Sequence, residues 1–231
     1  MVRRDRRVIN PPSQTFEDWH ELEYDPTGRI VRIHWCFPDG RRIVDFERPT
    51  RQTSLKARKR DLLQGLTAAI LDAIARTGVN EEVYVLAVKY MEAAYEHMLP
   101  PLVSLNTVPE RERLMQAHGD HGLEAIWNPC EWQWDELDVK LSPELEAMCA
   151  AANQDIWQNE RDERAIDFLL QLAQALNKAQ LPVRRADGFV SVALALERGD
   201  FALQVAEQIN AHTRKKLRRA GWLAPEKMPD S

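Results

Sequence analysis

In Arg29-Ile30-Val31-Arg32-Ile33-His34-Trp35-Cys36-Phe37, the residues alternate between two contrasting sets. Val31, Ile33, Trp35 and Phe37 form an apolar set, and the residues between them include Arg32 and His34. A repeat of two is typical of a strand with one buried face. The stretch therefore predicts a central β-strand, around which the N-terminal part of the chain is organised.

Turn residues flank this strand on both sides. Asp25-Pro26-Thr27-Gly28 has proline and glycine at positions that a type I turn favours, and Pro38-Asp39-Gly40 follows the strand. We expect outer strands at about 19–24 and 42–47. The result is a three-stranded antiparallel meander.

Beyond Pro49, apolar residues recur at helical spacing almost to the end of the chain. A first helix is predicted from Ser54 to Thr77, where Gly78 ends it. A second helix is predicted from Asn80 to the proline pair at 100–101, and the two are expected to form an antiparallel hairpin.

Further helices follow this hairpin in the prediction. They cover about 107–119, 143–156, 166–176, 189–198 and 201–219, with a break near Asn159. The least regular segment is 119–141, where we predict only a short strand around 132–141.

Together these elements predict an α+β protein that is predominantly α-helical. Its N-terminal three-stranded antiparallel meander is expected to pack against a bundle of about six to seven helices. We expect a basic N-terminal arm at 1–15, a single mostly helical domain at 16–224 and a tail at 225–231. Within that domain, the meander occupies 16–48 and the helical part 53–224.

Composition excludes several classes of protein. Of the 231 residues, 44% are hydrophobic and 29% are charged, which excludes collagen-like, disulfide-scaffold and fully disordered chains. No apolar run approaches the roughly 20 residues of a bilayer span, and the N-terminal arginines do not lead into the apolar core of a signal peptide. Cys36, Cys130 and Cys149 form no CxxC pair. We therefore expect a cytoplasmic protein with free thiols.

The net charge of −5 is unevenly distributed along the chain. Residues 1–60 hold 14 Lys and Arg against 9 Asp and Glu, and residues 180–231 hold 9 against 6. Residues 61–179 hold 8 against 21 and are strongly acidic. Basic ends favour an anionic partner, but the same pattern is expected if the ends fold back onto the acidic middle.

Basic residues in the two ends are the candidate nucleic-acid contacts, because phosphate neutralisation needs only Lys and Arg on one side of the protein. The alternative is a solvated helix end whose cations lie at the negative pole of the helix dipole. The candidates are Arg3, Arg4, Arg6, Arg7, Arg51, Lys56, Arg58, Lys59, Arg60, Arg214, Lys215, Arg218 and Arg219.

The predicted helices 189–198 and 201–219 have the outline of a helix-turn-helix. A recognition helix normally presents polar residues from its first turns, whereas Phe201 and Leu203 open the second helix here. We therefore favour core packing followed by a basic helix end.

Three of the 7 tryptophans, Trp127, Trp132 and Trp134, lie within eight positions of one another. Glu131 and Asp135 make their surroundings acidic, which opposes contact with phosphate. We predict that these tryptophans contact another protein or a second copy of this chain, with burial in the core as the alternative.

His118, His121, Cys130 and Cys149 are residue types that bind zinc. The two histidines flank a glycine, and no compact second pair of ligands follows. We predict no metal site, no cofactor and no catalytic residue. Whether these four side chains meet in space is left open by their spacing.

Asp120 and the triplet Asp138-Val139-Lys140 resemble the spaced acidic residue and the acidic-x-lysine pair of the PD-(D/E)xK nucleases. The resemblance implies that the two carboxylates would hold a divalent metal and that Lys140 would assist the attacking water. This chain departs from the family because Asp120 follows a glycine and not a proline.

From these patterns we expect a non-enzymatic, nucleic-acid-associated cytosolic protein that contacts the phosphate backbone without reading sequence. A protein-protein interaction or inhibitor protein, of the immunity or anti-defence type, is the alternative, and it would act through the acidic central region. A metal-dependent nuclease is the third interpretation.

Overall fold

The structure is a computed structural model that describes residues 4–7, 19–24, 30–47, 55–91, 98–158 and 162–225. The chain separates into two compact units, Met1–Ala57 and Arg58–Ser231. The predicted turn at 25–28, the cap at Ser54 and the break near Asn159 lie outside the described residues. None of the described helices combines the length and the apolar character that crossing a bilayer requires.

The first unit contains a four-stranded antiparallel sheet in the order β1-β2-β3-β4. Its strands are β1 (Arg4–Arg7), β2 (Trp19–Tyr24), β3 (Ile30–Cys36) and β4 (Arg42–Glu47). The three predicted strands are confirmed. The fourth, β1, comes from the predicted basic arm and pairs along β2.

After this sheet, the described residues form helices and three further strands. They are α1 (Leu55–Thr77), β5 (Val83–Tyr90), β6 (Leu102–Thr107), α2 (Val108–His118), α3 (Gly122–Ala125), α4 (Pro143–Gln158), α5 (Asp162–Lys178), β7 (Arg185–Ala195), α6 (Phe201–Gln208) and α7 (Ala211–Arg219). The α+β class is therefore confirmed, but the predicted helical bundle is wrong, because the helices pack on a sheet.

This second sheet has the order β6-β5-β7, with β6 antiparallel and β7 parallel to the central strand. One face packs against α1, α4 and α5, and the other packs against α2, α3, α6 and α7. All eight residues of β5 are buried as a result. The sheet thus separates two hydrophobic cores.

The helix predicted after Asn80 is wrong, and so is the helical hairpin. Residues 83–90 form β5, whose sequence VYVLAVKY is apolar at nearly every position. A strand buried on both faces loses the alternation that marks a half-buried strand, so its apolar run also fits a helix. The segment is a strand because it pairs with β6 on one side and with β7 on the other.

The helix predicted at 189–198 is also wrong, because these residues lie mostly in β7. Val190, Val192 and Leu194 face the core beneath α6 and α7, and Ala193 and Ala195 face the other core. The helix predicted at 201–219 is interrupted at Ile209 and is two helices, α6 and α7. A helix-turn-helix built from 189–198 and 201–219 is therefore wrong.

Local signals placed the other long helices correctly. Helix α1 ends at Thr77, after which Gly78 takes the left-handed φ of +68° that favours glycine. Helix α2 begins after Thr107 with a proline in its first turn, and α4 begins at Pro143.

The outer edge of β7 is closed by side-chain amides from two helices. Asn177 of α5 accepts from the Ser191 N–H at 2.7 Å and donates to its carbonyl at 2.6 Å. Gln208 of α6 makes the same pair of bonds with Ala193 at 2.8 and 2.5 Å. These amides replace the neighbouring strand that the edge lacks.

Gln204 of α6 continues the series at Ala195. Its side chain accepts from the Ala195 N–H at 2.8 Å and donates to the Ala195 carbonyl at 3.1 Å. Both residues are buried. The edge of β7 is thus satisfied at every second residue from 191 to 195.

The outer edge of β6 is covered by the irregular segment that follows Trp132. The Leu105 N–H donates to the Trp134 carbonyl at 3.1 Å, and the Leu137 N–H donates to the Val103 carbonyl at 2.7 Å. Within the described residues, the strand predicted at 132–141 is reduced to one bridge between Leu105 and Trp134.

A buried cation anchors this covering segment. The Lys89 ammonium of β5 pairs with Asp135, and the Ser104 hydroxyl of β6 donates to the same carboxylate at 2.6 Å. Lys89 is only 1% exposed, so its charge requires this partner. The acidic segment is therefore held partly by an internal ion pair.

Gln204→Met should lower the free energy of unfolding by about 2 to 4 kcal/mol, because it leaves the buried N–H and carbonyl of Ala195 without partners. Urea unfolding followed by circular dichroism measures this loss. Leu203→Gln, at a neighbouring position that is 52% exposed, is the matched control and should change the value by less than about 0.5 kcal/mol. Equal midpoints for the two variants would contradict the edge-closing role of Gln204.

Candidate functional site

Helix α7 carries the C-terminal group of predicted basic residues, and its first residue is set by a side-chain cap. The Asn210 side chain accepts from the Thr213 N–H at 2.9 Å, which satisfies one free donor of the first turn. Ile209 before it is extended and buried. This pair of residues ends α6 and starts α7 in a new direction.

The other end of α7 closes with a Schellman motif. The Gly221 N–H donates to the Arg218 carbonyl at 3.0 Å, and the Trp222 N–H donates to the Leu217 carbonyl at 2.9 Å. Gly221 has a φ of +75°, which a residue without Cβ adopts at little cost. The motif turns the chain so that Trp222 packs back onto the protein.

Trp222 is held against a buried arginine and two aromatic residues. The Arg111 guanidinium carbon lies 3.7 Å from the centroid of the Trp222 ring and 5.2 Å from that of Tyr84. Trp127 Nε1 donates to the Trp222 carbonyl at 2.7 Å. Burial lowers the pKa of Arg111 and raises that of Tyr84.

A close approach to β7 holds the middle of α7. Gly188 of β7 has a φ of +93°, and a Cβ built there would lie 3.2 Å from Leu217 Cδ2. Leu217 is completely buried. Since the remaining α7 side chains are exposed or half-buried, anchoring this one leucine directs the cations of the helix outward.

Four of these cations line one open groove of about 840 Å³. They are Arg214, Lys215, Arg218 and Arg219. Apolar residues, including Leu123 and Leu223, complete the lining, and no acidic residue is among the described residues that line the groove. The groove therefore concentrates positive charge beside an apolar wall.

Lys216 does not line the groove and has an anionic partner. Its ammonium pairs with Asp187 of β7. Arg214 Nη2 donates to the Ile209 carbonyl at 3.2 Å. This acceptor is a neutral group, so the bond does not neutralise the guanidinium charge. The helix thus carries one cation paired with Asp187 and four cations that line the groove.

Of the other predicted basic contacts, only Lys59 and Arg60 have described side chains, and neither lines this groove. Arg3 and Arg51 lie outside the described residues, and Arg4, Arg6, Arg7, Lys56 and Arg58 are described only as members of β1 and α1. Lys59 and Arg60 are exposed on α1, and Arg60 pairs with Asp61 at 3.1 Å.

The tryptophans of the predicted protein interface lie mainly in the interior. Trp127 is completely buried and Trp132 is 4% exposed, in the core beneath α2 and α6. Trp132 Nε1 donates to the Ile126 carbonyl at 3.2 Å. Trp134 is half-buried against the opposite core. This placement matches the core alternative for Trp127 and Trp132.

The four candidate zinc ligands have separate surroundings. His121 lies 3.6 Å from Glu124, His118 lies 4.0 Å from Glu131, and Cys130 is exposed. Cys149 lies in the core on the other side of the sheet. Among the residues that the structure describes, no group of three His, Cys, Asp or Glu side chains could hold a metal ion.

The residues that resemble the nuclease motif are exposed. Asp138 and Lys140 lie 3.5 Å apart, with side chains 77% and 69% exposed, in an irregular segment. Asp120 lies in a short 3-10 helix after α2 and is also exposed. The Asp138 carbonyl accepts from Arg76 at 2.6 Å, which ties this segment to α1.

The sequence did not identify the apolar wall of the groove. Leu123 lies in α3 and Leu223 follows α7, so the two residues are far apart in the chain. Both line the groove because α2, α3, α6 and α7 share one face of the second sheet. The basic spacing at 214–219 was the one local signal of the site.

Trp132→Ala should lower the free energy of unfolding by about 3 to 5 kcal/mol, through lost transfer energy and the cavity left behind. Trp134→Ala should cost about 1 to 2 kcal/mol because the ring is half-buried. Chemical denaturation of both variants measures the difference. A smaller loss for Trp132→Ala than for Trp134→Ala would contradict the placement of these rings.

At pH 8, a thiol reagent should label Cys130 rapidly and Cys149 slowly in the folded protein. Burial beside Glu146 raises the pKa of Cys149 to about 11, so little reactive thiolate is present. Cys130→Ser should remove the rapid phase, and urea should make the remaining thiols reactive. A rapid phase that survives Cys130→Ser would contradict this expectation.

The chain was compared with protein families, curated proteins and solved structures. The chain matches no protein-family model, no curated protein and no solved structure. Its function therefore has to be inferred from the arrangement of its own side chains.

Proposed function

We propose that this protein binds nucleic acid through the phosphate backbone, with the groove on α7 as the contact surface and without a catalytic step of its own. The observation that carries the proposal is that Arg214, Lys215, Arg218 and Arg219 line one groove without a carboxylate among its described lining residues. Phosphates are the anions that such a row of cations binds best.

The helix dipole accounts for only part of this row. Cations in the last turn stabilise a helix by about 0.3 to 1 kcal/mol each at the surface. Arg218 and Arg219 occupy that turn, whereas Arg214 and Lys215 lie one turn earlier. A helix that needed only to offset its dipole would not require the earlier pair.

The geometry favours contact with the backbone over reading of bases. Arg214 and Arg218, like Lys215 and Arg219, are four residues apart and therefore neighbours along one side of the helix. The helix has nine residues and is held along its other side by Leu217. A short row of cations at a surface suits phosphates, whose positions do not depend on sequence.

The acidic central region gives weaker support to the alternative of an acidic protein interface. Asp135 is occupied by the buried Lys89, and Asp138 lies 3.5 Å from Lys140. These two carboxylates are therefore partly neutralised within the chain, whereas the groove cations face no carboxylate in their described lining.

Lys215→Ser with Arg219→Ser should weaken binding to a generic duplex or single strand and lower the slope of log affinity against log salt by about 2. Each exposed cation lost removes one phosphate contact. Fluorescence anisotropy with a labelled oligonucleotide, over a range of salt concentrations from about 50 mM upward, measures the slope.

The matched control is Arg198→Ser with Lys216→Ser, which changes the net charge equally. Both of these cations already form ion pairs with carboxylates. Lys216 pairs with Asp187, and Arg198 pairs with Asp200 and Glu207. The control should therefore keep the wild-type slope. Equal losses in both double variants, or wild-type protein without salt-sensitive binding, would overturn the proposal.

A further inference from the structure

Three separate parts of the chain form the walls of the groove on α7. Helix α7 provides the cations, the segment after it provides Leu223 and Pro225, and α3 provides Leu123. Helices α3 and α7 are far apart in the sequence, with a strand and several helices between them. The shape of the groove therefore depends on the contacts that join these parts.

Trp222 joins two of the walls through its main chain. Its N–H donates to the Leu217 carbonyl at 2.9 Å, which fixes it to the end of α7. Its carbonyl accepts from Trp127 Nε1 at 2.7 Å, and Trp127 follows α3 closely. Because Gly221 and Leu223 on either side of Trp222 line the groove, a movement of Trp222 would also move the lining.

The last turn of α7 is the part of the helix that depends most on this residue. Asn210 caps the start of the helix, and the buried Leu217 anchors its middle. Arg218 and Arg219 follow Leu217 and precede Trp222 in the chain. The positions of these two cations are therefore linked to the position of Trp222.

The ring of Trp222 is held by the side chain of Arg111, which belongs to α2. The guanidinium carbon lies 3.7 Å from the centroid of the ring. The Arg111 side chain is only 8% exposed. A cation over the face of an indole ring is attracted by its π electrons, and the attraction is stronger where water is excluded. The stack therefore restrains the orientation of Trp222.

Tyr84 connects the same contacts to the central strand β5. Its ring centroid lies 5.7 Å from that of Trp127 and 6.4 Å from that of Trp222, with interplanar angles of 69° and 60°. Its hydroxyl donates to the Ile126 carbonyl. Tilted and edge-on contacts of this kind are preferred between aromatic rings. One cluster thus links β5, α2, the residues after α3 and the residues after α7.

Stability alone does not account for an arginine in this cluster. Its carboxylate contact, Glu112 at 3.8 Å, has a side chain that is 65% exposed. Arg111 Nη1 is buried and has no hydrogen-bond partner among the described residues. An apolar residue of similar size is often at least as stabilising as such a buried charge. What the guanidinium adds is a flat cation that stacks on a ring in a defined orientation.

We propose that Trp222, held by Arg111, is a positioning residue for the groove. It fixes residues 221–225 and the last turn of α7, so that the four cations contact the phosphates of one nucleic acid at the same time. Neither Trp222 nor Arg111 lines the groove, so both act through the residues that do. The inference rests on the proposed function, to which it adds the contact that controls the site.

The test measures binding of a labelled oligonucleotide by fluorescence anisotropy over a range of salt concentrations. Trp222→Leu changes no charge, yet it should lower the slope of log affinity against log salt by about 1, the value for one lost phosphate contact. Arg111→Met should lower the slope by a similar amount. Trp222→Phe keeps a ring for the guanidinium and should keep the wild-type slope. A wild-type slope in Trp222→Leu would overturn the inference.

Two combined variants test the route by which Trp222 acts. Trp222→Leu with Arg111→Met should lower the slope no further than Trp222→Leu alone, because both changes remove the same contact. Trp222→Leu should also have a smaller effect when Lys215→Ser and Arg219→Ser are present, because two of the positioned cations are then absent. Full additivity in either combination would overturn the inference.

Ile70→Val is the matched control for a loss of stability. Ile70 is completely buried in the core on the other face of the second sheet, so loss of one methyl group should lower the urea midpoint. Its salt slope should remain that of the wild type. Circular dichroism checks that each variant is folded at the temperature of the titrations. Equal reductions of the slope in Ile70→Val and Trp222→Leu would contradict a positioning role.

The same titrations separate this inference from the proposed function. If Lys215→Ser with Arg219→Ser lowers the salt slope while Trp222→Leu keeps it, the proposed function stands and the positioning role of Trp222 is wrong. If wild-type protein shows no salt-sensitive binding, both are wrong. If both variants lower the slope and Trp222→Phe restores it, both are supported.

Discussion

The second unit depends on hydrogen bonding at the edges of a sheet of only three strands. Its central strand is buried on both faces, and each neighbour has an outer row of N–H and C=O groups that must be satisfied. Asn177, Gln208 and Gln204 satisfy the edge of β7, and residues 134–137 cover the edge of β6. A small sheet can therefore form the centre of two hydrophobic cores.

The same constraint sets the position of the groove. Two of the edge-closing amides belong to α6, so the helix cannot move along β7 without breaking their bonds. The Asn210 cap then starts α7 directly after α6, and the contact of Leu217 with Gly188 holds α7 on the strand. The cations of α7 are thus fixed relative to the sheet, which allows them to act as one surface.

Most of the cations that hold the described fold have partners within the chain. Lys89 is paired with Asp135 and Arg42 with Glu21, whereas Arg185 donates to the carbonyls of Leu176, Asn177 and Ala179. Arg111 is stacked on Trp222 and Tyr84 and lies 3.8 Å from Glu112. Four cations line the groove on α7, and no carboxylate is among its described lining residues.

Sequence alone determined the elements whose signals are local. The period of two around Trp35 predicted three strands of the first sheet, and Gly78 and Pro143 marked helix ends. The spacing of Lys215 and Arg219 also identified the basic face of α7. Only the tertiary structure decided that 83–90 and 185–195 are strands, because burial on both faces removes the alternation and leaves pairing as the deciding interaction. It alone also decided that Trp127 and Trp132 are interior and that Leu123 and Leu223 line one groove, since long-range packing leaves no periodic trace in the sequence.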